Sequence, residues 1–180
     1  NLESEICSRV KSMIEYGAKI IDIGGLSSRP FSDVIDENEE LKRVLPALKS
    51  VRLKFPEILI SIDTFRSEVA NACASEGADF INDISAGKMD SNMFKVVAKN
   101  RIPYIMMHMQ GTPENMQVNP QYNNLINEVQ YYFAFQIKKA LETGINDVII
   151  DPGFGFGKTI EHNFELLNKL ELLKIHNKAI

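Results

Sequence analysis

The chain has 180 residues, of which 44% are apolar and 24% are charged, a composition typical of one globular domain with a substantial core. Its formal net charge of −4 gives no electrostatic basis for binding nucleic acid or an anionic membrane surface. No apolar run approaches the ~18 residues of a membrane span, and no charged-then-apolar secretory signal opens the chain.

Helical patterns recur along the whole chain. The first covers residues 2–14, and Gly17 is a typical stop for it. Further helices are predicted near residues 41–51, 69–74, 90–100, 125–141 and 164–173. Pro46 predicts a kink or a break in the second helix. The two cysteines, Cys7 and Cys73, lie on predicted helices without a CxxC motif, so we expect reduced thiols and a cytoplasmic protein.

Five short apolar runs lie between the helices, and each leads into a polar residue. The runs meet Asp22, Asp63, Asn82-Asp83, His108 and Asp151. A continuous apolar run of this length is typical of a parallel strand covered by helices. A carboxylate at such a place is costly unless something there uses it. We therefore predict a polar floor at the carboxyl ends of the strands.

Strands that alternate with helices imply right-handed crossovers and a parallel sheet, which is an α/β fold. The closed form is the (β/α)₈ TIM barrel, whose active sites lie at the carboxyl ends of the strands. The open, doubly wound sheet is the alternative, although its sites concentrate at one switch point. Because a barrel needs about 250 residues and eight strands, we predict that residues 1–180 form a single, partial barrel domain. The first strand and the last two would be absent.

A glycine-rich segment, 151–159, joins the last strand to the last helix. Its glycines alternate at 153, 155 and 157, a spacing that satisfies neither the Walker A pattern nor the dinucleotide fingerprint. Such a backbone can approach a flat ligand closely, with Phe154 or Phe156 lying on that ligand. The alternative is a glycine-rich turn in which an aromatic ring plugs the barrel mouth.

Asp63, Asn82 and Asp151 have the chemistry to bind an aminopyrimidinone, the ring edge found in guanine and in pterins. That edge presents adjacent N–H donors and a carbonyl acceptor. A carboxylate accepts two parallel N–H bonds, and a carboxamide donates and accepts together. The alternative for a single strand-end aspartate, such as Asp63 or Asp83, is that it caps the following helix.

Two further segments carry polar chemistry. In the loop 24–30, Arg29 stands among glycines and hydroxyl groups and suits a phosphate or pyrophosphate clamp; a surface loop in which Arg29 pairs with Asp33 or Asp36 is the alternative. For His108 we favour a structural role in holding the loop 110–114. No second histidine stands at metal-binding spacing from it, so a protein-only zinc site is not expected.

These segments together resemble dihydropteroate synthase, the folate-pathway enzyme family. The matching stretches are 22–30 (DIGGLSSRP), 61–66 (SIDTFR), 81–87 (INDISAG), 107–113 (MHMQGTP) and 151–158 (DPGFGFGK). They follow the family's order and span nearly the whole chain. The family fold is a (β/α)₈ barrel, which agrees with the prediction from the strand ends.

The resemblance implies a transferase that joins p-aminobenzoate to 6-hydroxymethyl-7,8-dihydropterin diphosphate, releasing 7,8-dihydropteroate and pyrophosphate. It implies that the pterin is bound by Asp63, Asn82, Ile84, Met107, Asp151 and Phe156, with the two carboxylates and the amide on its edge. It places the diphosphate and p-aminobenzoate at the loop residues Ser27, Ser28, Arg29 and Pro30. The expected catalytic residues are Arg29, Asp63 and Asp151.

The resemblance also implies Mg²⁺ on the leaving group, a homodimer and a target for sulfonamides. The family's metal ligand is an Asn of the first strand, so we expect no metal ligand within this chain. A Lys of the seventh strand and an Arg and a His of the eighth are absent too. Leu26, Ser28 and Phe31 depart from the family pattern, which affects the expected loop conformation and sulfonamide response.

Two alternatives stay open. A pterin-binding domain of a corrinoid-dependent methyltetrahydrofolate methyltransferase resembles the same barrel and polar floor. The clamp-like loop around Arg29 favours the synthase, because methyl transfer has no use for a diphosphate site. A non-catalytic binding fragment is the other alternative.

Overall fold

The protein is described by a computed structural model that covers residues 2–26 and 35–180. Its helices are α1 (Leu2–Glu15), α2 (Glu37–Lys54), α3 (Ser67–Ser75), α4 (Met93–Asn100), α5 (Leu125–Thr143) and α6 (Ile160–Asn168), followed by a 3₁₀ helix (Leu170–His176). Its strands are β1 (Ile20–Gly24), β2 (Leu59–Asp63), β3 (Phe80–Asp83), β4 (Tyr104–Met107) and β5 (Val148–Asp151). Among these helices, none is long and apolar enough to span a membrane.

The strands form one parallel sheet in the order β1-β2-β3-β4-β5. A doubly wound sheet reverses its strand order at a switch point, and no such reversal occurs within the described residues. At the free side of β5, the Ile150 amide donates to the Ala179 carbonyl over 2.9 Å, and Ile149 pairs with Ala179 in parallel. The sheet therefore adds segments in chain order, as a barrel does, which confirms the predicted partial (β/α) barrel.

The main hydrophobic core lies between the sheet and the helices. Alternate strand residues such as Ile60, Ile62 and Met106 are fully buried and share one core with helix residues such as Leu48 and Phe133. Side chains alternate across a strand, so the neighbouring positions form the opposite face of the sheet. That face is more open: Leu59 is 41% exposed and Ile20 is 43% exposed. The strands are thus covered by helices on one face only, because the other face is the interior of a barrel that five strands do not close.

Local signals set most helix ends. The Asp36 side chain accepts from the Glu39 amide and caps α2, and Gly144, with φ of 99°, ends α5. The predicted effect of Pro46 is wrong in one respect, since α2 continues through it. Pro46 lies on the exposed side of α2, where water can bind the carbonyl that proline leaves without a partner. The last predicted helix divides at Lys169 into α6 and the 3₁₀ helix.

Candidate functional site

Polar residues of neighbouring strands meet on the open face of the sheet. Asp63 ends β2 and pairs in register with Asn82 of β3 on one side and Gly24 of β1 on the other. Asp22 lies on the same face because it is two residues before Gly24. By the same alternation, Asp151, the register partner of Met107, belongs to this face. We call Asp22, Asp63, Asn82 and Asp151 the polar floor.

Asp22 is a member of the polar floor that was not predicted as a site residue. β1 extends two residues beyond Asp22 to Gly24, so Asp22 is not the end of its strand. Its Oδ2 accepts a hydrogen bond from Asn82 Nδ2 at 3.3 Å. The signal in the sequence was the spacing of Asp22 and Gly24, which places both residues on the face that holds Asp63.

The carboxyl group of Asp63 is largely removed from water. Burial raises its pKa to about 7, and the negative charges of Asp22, Asp83 and Glu40 act in the same direction. Gly24 lies close beside Asp63 on the neighbouring strand, since a Cβ at that glycine would stand 3.3 Å from Asp63 Cβ. In the described part of the chain the Asp63 carboxylate makes no hydrogen bond, and α3 has no side-chain cap. The helix-capping alternative for Asp63 is therefore wrong, and its oxygens can serve a ligand.

The Asp151 carboxylate is partly engaged by its own loop. Its Oδ1 accepts from the Gly153 amide at 2.8 Å, which fixes the orientation of the carboxyl group. Gly153 has φ of +70°, and a Cβ there would stand 2.0 Å from the His108 carbonyl oxygen. Only glycine fits this position. The turn after β5 is thus packed directly against the end of β4.

His108 and Lys158 form a buried pair beneath this turn. Lys158 Nζ lies 2.9 Å from His108 Nδ1, and both residues are almost completely buried. Burial, with the Lys158 charge, lowers the pKa of His108 to about 3, so its ring is neutral and Nδ1 accepts. Burial also lowers the pKa of Lys158 to about 7, while the Asp151 charge raises it. His108 is structural, as favoured from the sequence, but the described residues show its ring nitrogen bonded to Lys158 and show no hydrogen bond from its ring to loop 110–114.

An apolar cluster lies beside the polar floor. It contains Ile84, Met107, Met109 and Met116, with Phe65 and Phe156 packed against it. Ile84, Met107 and Phe156, expected on the faces of a pterin, therefore come together. Of the two candidate rings in the glycine-rich turn, Phe156 joins this cluster and Phe154 is 40% exposed.

Asp83, the second polar residue at the end of β3, does not belong to the polar floor. It is fully buried. Because it comes two residues after Ile81, its side chain lies on the same face of the sheet as Ile81, the face that the helices cover. Its oxygens accept from the Ser85 amide and hydroxyl, each at 2.7 Å, the Gly87 amide at 2.8 Å and the Tyr104 hydroxyl at 2.6 Å. Burial raises the pKa of Asp83 despite these bonds. Asp83 organises the turn after β3 and does not cap α4, whose N-cap residue is Asn92, so the capping alternative is wrong for Asp83 as well.

The predicted diphosphate loop residues Ser27, Ser28, Arg29 and Pro30 lie outside the described residues. Next to that segment, a buried ion pair joins Glu40 to Arg66. Arg66 Nη2 also donates to the Ile35 carbonyl at 2.6 Å. Within residues 2–26 and 35–180, no group of three His, Cys, Asp or Glu side chains is arranged to hold a metal ion.

Comparison with known proteins identifies relatives of this arrangement. The family model for pterin binding enzymes matches residues 3–180. The chain is 41% identical over 168 residues to dihydropteroate synthase of Synechocystis, a match that covers 92% of this chain and 58% of that protein. It is 46% identical over 173 residues to the mitochondrial folate synthesis bifunctional protein of Arabidopsis thaliana, covering 93% of this chain and 31% of that protein.

The fold has a solved counterpart. The crystal structure of Yersinia pestis dihydropteroate synthase with a sulfonamide drug complex superposes with a TM-score of 0.91 at 37% sequence identity. The superposition covers 95% of this chain and 62% of that structure. The chain thus spans 31%, 58% and 62% of the lengths of these three proteins.

Proposed function

Because the chain belongs to the family of pterin binding enzymes, we propose that the complete protein is a dihydropteroate synthase. Its reaction joins p-aminobenzoate to 6-hydroxymethyl-7,8-dihydropterin diphosphate. The observation that carries the proposal is the pairing of Asp63 with Asn82 on the open face of the sheet, beside the cluster that holds Phe156. The names of the Synechocystis and Yersinia pestis relatives support the same activity.

The polar floor suits the edge of a pterin. Asp63 and Asp151 each offer carboxylate oxygens to the N–H donors of the ring, and the Asn82 amide bonds to an acceptor or a donor beside them. Each hydrogen bond to a charged group contributes roughly 1.5–3 kcal/mol. Ile84, Met107 and Phe156 supply apolar contacts for the faces of the ring.

The same residues favour the bond-breaking step. As diphosphate departs, positive charge develops on the exocyclic carbon of the pterin, and the carboxylates of Asp63 and Asp151 stabilise it. The neutral amine of p-aminobenzoate then forms the new C–N bond and loses a proton, while the C–O bond to diphosphate breaks. No protein nucleophile is required. Arg29 is proposed to bind the leaving diphosphate.

Mg²⁺ is proposed as the cofactor, and when bound it stabilises the negative charge of the departing diphosphate. Its ligand is proposed to be the Asn of the family's first strand. A homodimer and the absence of a nucleic-acid partner are likewise proposals. The buried, unpaired Cys7 and Cys73 support a reducing compartment, and cytoplasmic localisation stays a prediction because one relative is named as mitochondrial.

The proposal is tested by pyrophosphate release from the complete polypeptide. We expect turnover only when the pterin diphosphate and p-aminobenzoate are both present. Asp63→Ala and Asp151→Ala should nearly abolish binding of the pterin diphosphate while circular dichroism stays unchanged. Absence of pyrophosphate release from a folded, complete protein with Mg²⁺ would contradict the proposed activity.

Arg29 is tested by comparing two ligands. Arg29→Ala should weaken binding of the pterin diphosphate much more than binding of 6-hydroxymethylpterin, which lacks phosphate. An equal loss for both ligands would show that Arg29 does not bind the diphosphate. In a corrinoid methyltransferase, methyltetrahydrofolate would bind and no pyrophosphate would form.

A further inference from the structure

Lys158 is a buried cation placed at the junction of two strand-end loops. It is only 3% exposed. Its Nζ donates to the Gly153 carbonyl at 2.9 Å, the Phe156 carbonyl at 3.0 Å and the His108 carbonyl at 3.2 Å, and it lies 2.9 Å from His108 Nδ1. An ammonium group has three hydrogens to donate, which are shared among these four acceptors, so all of its donors are used inside the protein.

These contacts enclose the glycine-rich turn. Lys158 reaches back along its own segment to Gly153 and Phe156, and across to His108, which follows β4. The turn is held by few other bonds to the rest of the protein, among them Tyr122 Oη to the Gly157 carbonyl at 2.7 Å. Removing Lys158 would take this donor from the His108 and Phe156 carbonyls and would leave the Gly153 carbonyl with only the Phe156 amide at 3.1 Å, so the turn would have to rearrange.

Two of the held residues bear on the pterin slot. The Gly153 amide orients the Asp151 carboxylate through its bond to Oδ1. The Phe156 ring packs against the cluster of Ile84 and Met107. The position of the Phe156 backbone, and hence of its ring, depends on a carbonyl that Lys158 holds.

We propose that Lys158 is a positioning residue for pterin binding: its buried ammonium group sets the turn that orients Asp151 and places Phe156. This inference rests on the proposed pterin-binding function. Lys158 does not contact the ligand; it acts through the two residues that do. A lysine serves here because a point-like ammonium on a flexible stem can reach carbonyls in several directions.

The test is Lys158→Met in the complete protein, measured with 6-hydroxymethylpterin by titration calorimetry. Met fills a similar volume without a donor. We expect the Kd for this pterin to rise at least tenfold, while the KM for p-aminobenzoate changes less than twofold. Lys169→Met is the matched control, because Lys169 is an exposed residue just after α6 that forms a surface ion pair with Glu165; it should leave both values unchanged.

A double-mutant cycle separates positioning from general loss of stability. If Lys158 acts through Phe156, the Lys158→Met change should weaken pterin binding much less in a Phe156→Ala background than in the wild type. Fully additive effects, or an unchanged Kd for Lys158→Met, would overturn the inference. Equal losses for the pterin and for p-aminobenzoate would also overturn it.

If Lys158→Met does not fold, Lys158→Gln provides the comparison. Its amide offers two hydrogens in place of three on a shorter side chain, so fewer of the carbonyls are held, and a Kd increase of about threefold for the pterin alone is expected; no selective increase would overturn the inference. Wild-type pyrophosphate release keeps the two proposals distinct. An active wild type with a neutral Lys158 substitution would reject the positioning role and retain the enzyme function.

Discussion

Asn82 Nδ2 donates a hydrogen bond to Asp22 Oδ2 at 3.3 Å, although β2 lies between the strands that carry them. The bond passes over the face on which Asp63 lies. This bond uses one amide hydrogen of Asn82, so the side-chain carbonyl oxygen of Asn82 points away from Asp22. Because the charge of Asp22 also raises the pKa of Asp63, these three residues form one coupled unit.

Removing Asp22 should therefore weaken pterin binding and change the pH dependence. In Asp22→Ala, Asn82 loses the acceptor that orients it, which corresponds to about 0.5–1.5 kcal/mol, or a roughly two- to twelvefold rise in Kd for 6-hydroxymethylpterin. The pKa of Asp63 should fall, because a neighbouring negative charge is removed. Calorimetric titrations between pH 5 and pH 9 measure both effects.

Asp147→Ala is the control for this change, since Asp147 is an exposed aspartate that precedes β5. It should alter neither the affinity nor the pH at which affinity changes. If Asp22→Ala behaves like Asp147→Ala, Asp22 has no part in the site.

Asp63→Asn should stabilise the ligand-free protein at high pH. The folded-state pKa of Asp63, about 7, lies well above the 3.8 of an unperturbed aspartate, so the folded state holds this proton more tightly than the unfolded state. Stability from Asp63 is therefore lost as pH rises from about 4 to about 7. An asparagine cannot ionise and avoids this loss, which is on the order of 2–4 kcal/mol.

The measurement is urea unfolding of wild type and Asp63→Asn at pH 5 and pH 8. The difference in unfolding free energy between the two proteins isolates the contribution of Asp63 from that of other titrating groups. The difference should favour the variant less at pH 5 than at pH 8, because only part of the loss has occurred by pH 5, while pterin binding is lost at both. A difference in unfolding free energy that does not vary with pH would show that Asp63 is not perturbed.

Phe156→Ala should reduce affinity for 6-hydroxymethylpterin by about tenfold, because an aromatic contact contributes roughly 0.5–1.5 kcal/mol beyond the area it buries. Phe154→Ala is the matched control variant, since Phe154 lies in the same turn and is 40% exposed. It should change affinity less than twofold. Equal effects of the two substitutions would indicate that the turn, and not the Phe156 ring, determines binding.

Two adjacent glutamates of α2 should differ greatly in their effect on stability. Glu40 is 1% exposed and pairs with Arg66, so Glu40→Ala leaves a poorly solvated cation and should cost about 3–5 kcal/mol. Glu39 pairs with Arg43 at the surface, and Glu39→Ala should cost less than about 1 kcal/mol. Urea unfolding compares them directly; a loss below about 1 kcal/mol for Glu40→Ala would show that the buried pair is not stabilising.

Much of the architecture could be predicted because its signals are local. The five apolar runs and the glycine after α5 are visible in short windows of sequence, and they predicted the strands and most helix ends. Pro46 and the division at Lys169 could not be predicted in this way. The effect of a proline depends on whether its side of the helix meets water, and that is a property of the packed molecule.

The polar floor, too, could be predicted only in part. The sequence by itself determined that carboxylates and an amide follow buried strands, and that parallel strands bring such endings to one edge. Only the tertiary structure decided which of them share a face: Asp63 and Asn82 point one way, and Asp83, one residue on, points to the helices. It also decided that Lys158 is buried against His108, since burial and pairing arise from contacts between residues 50 positions apart.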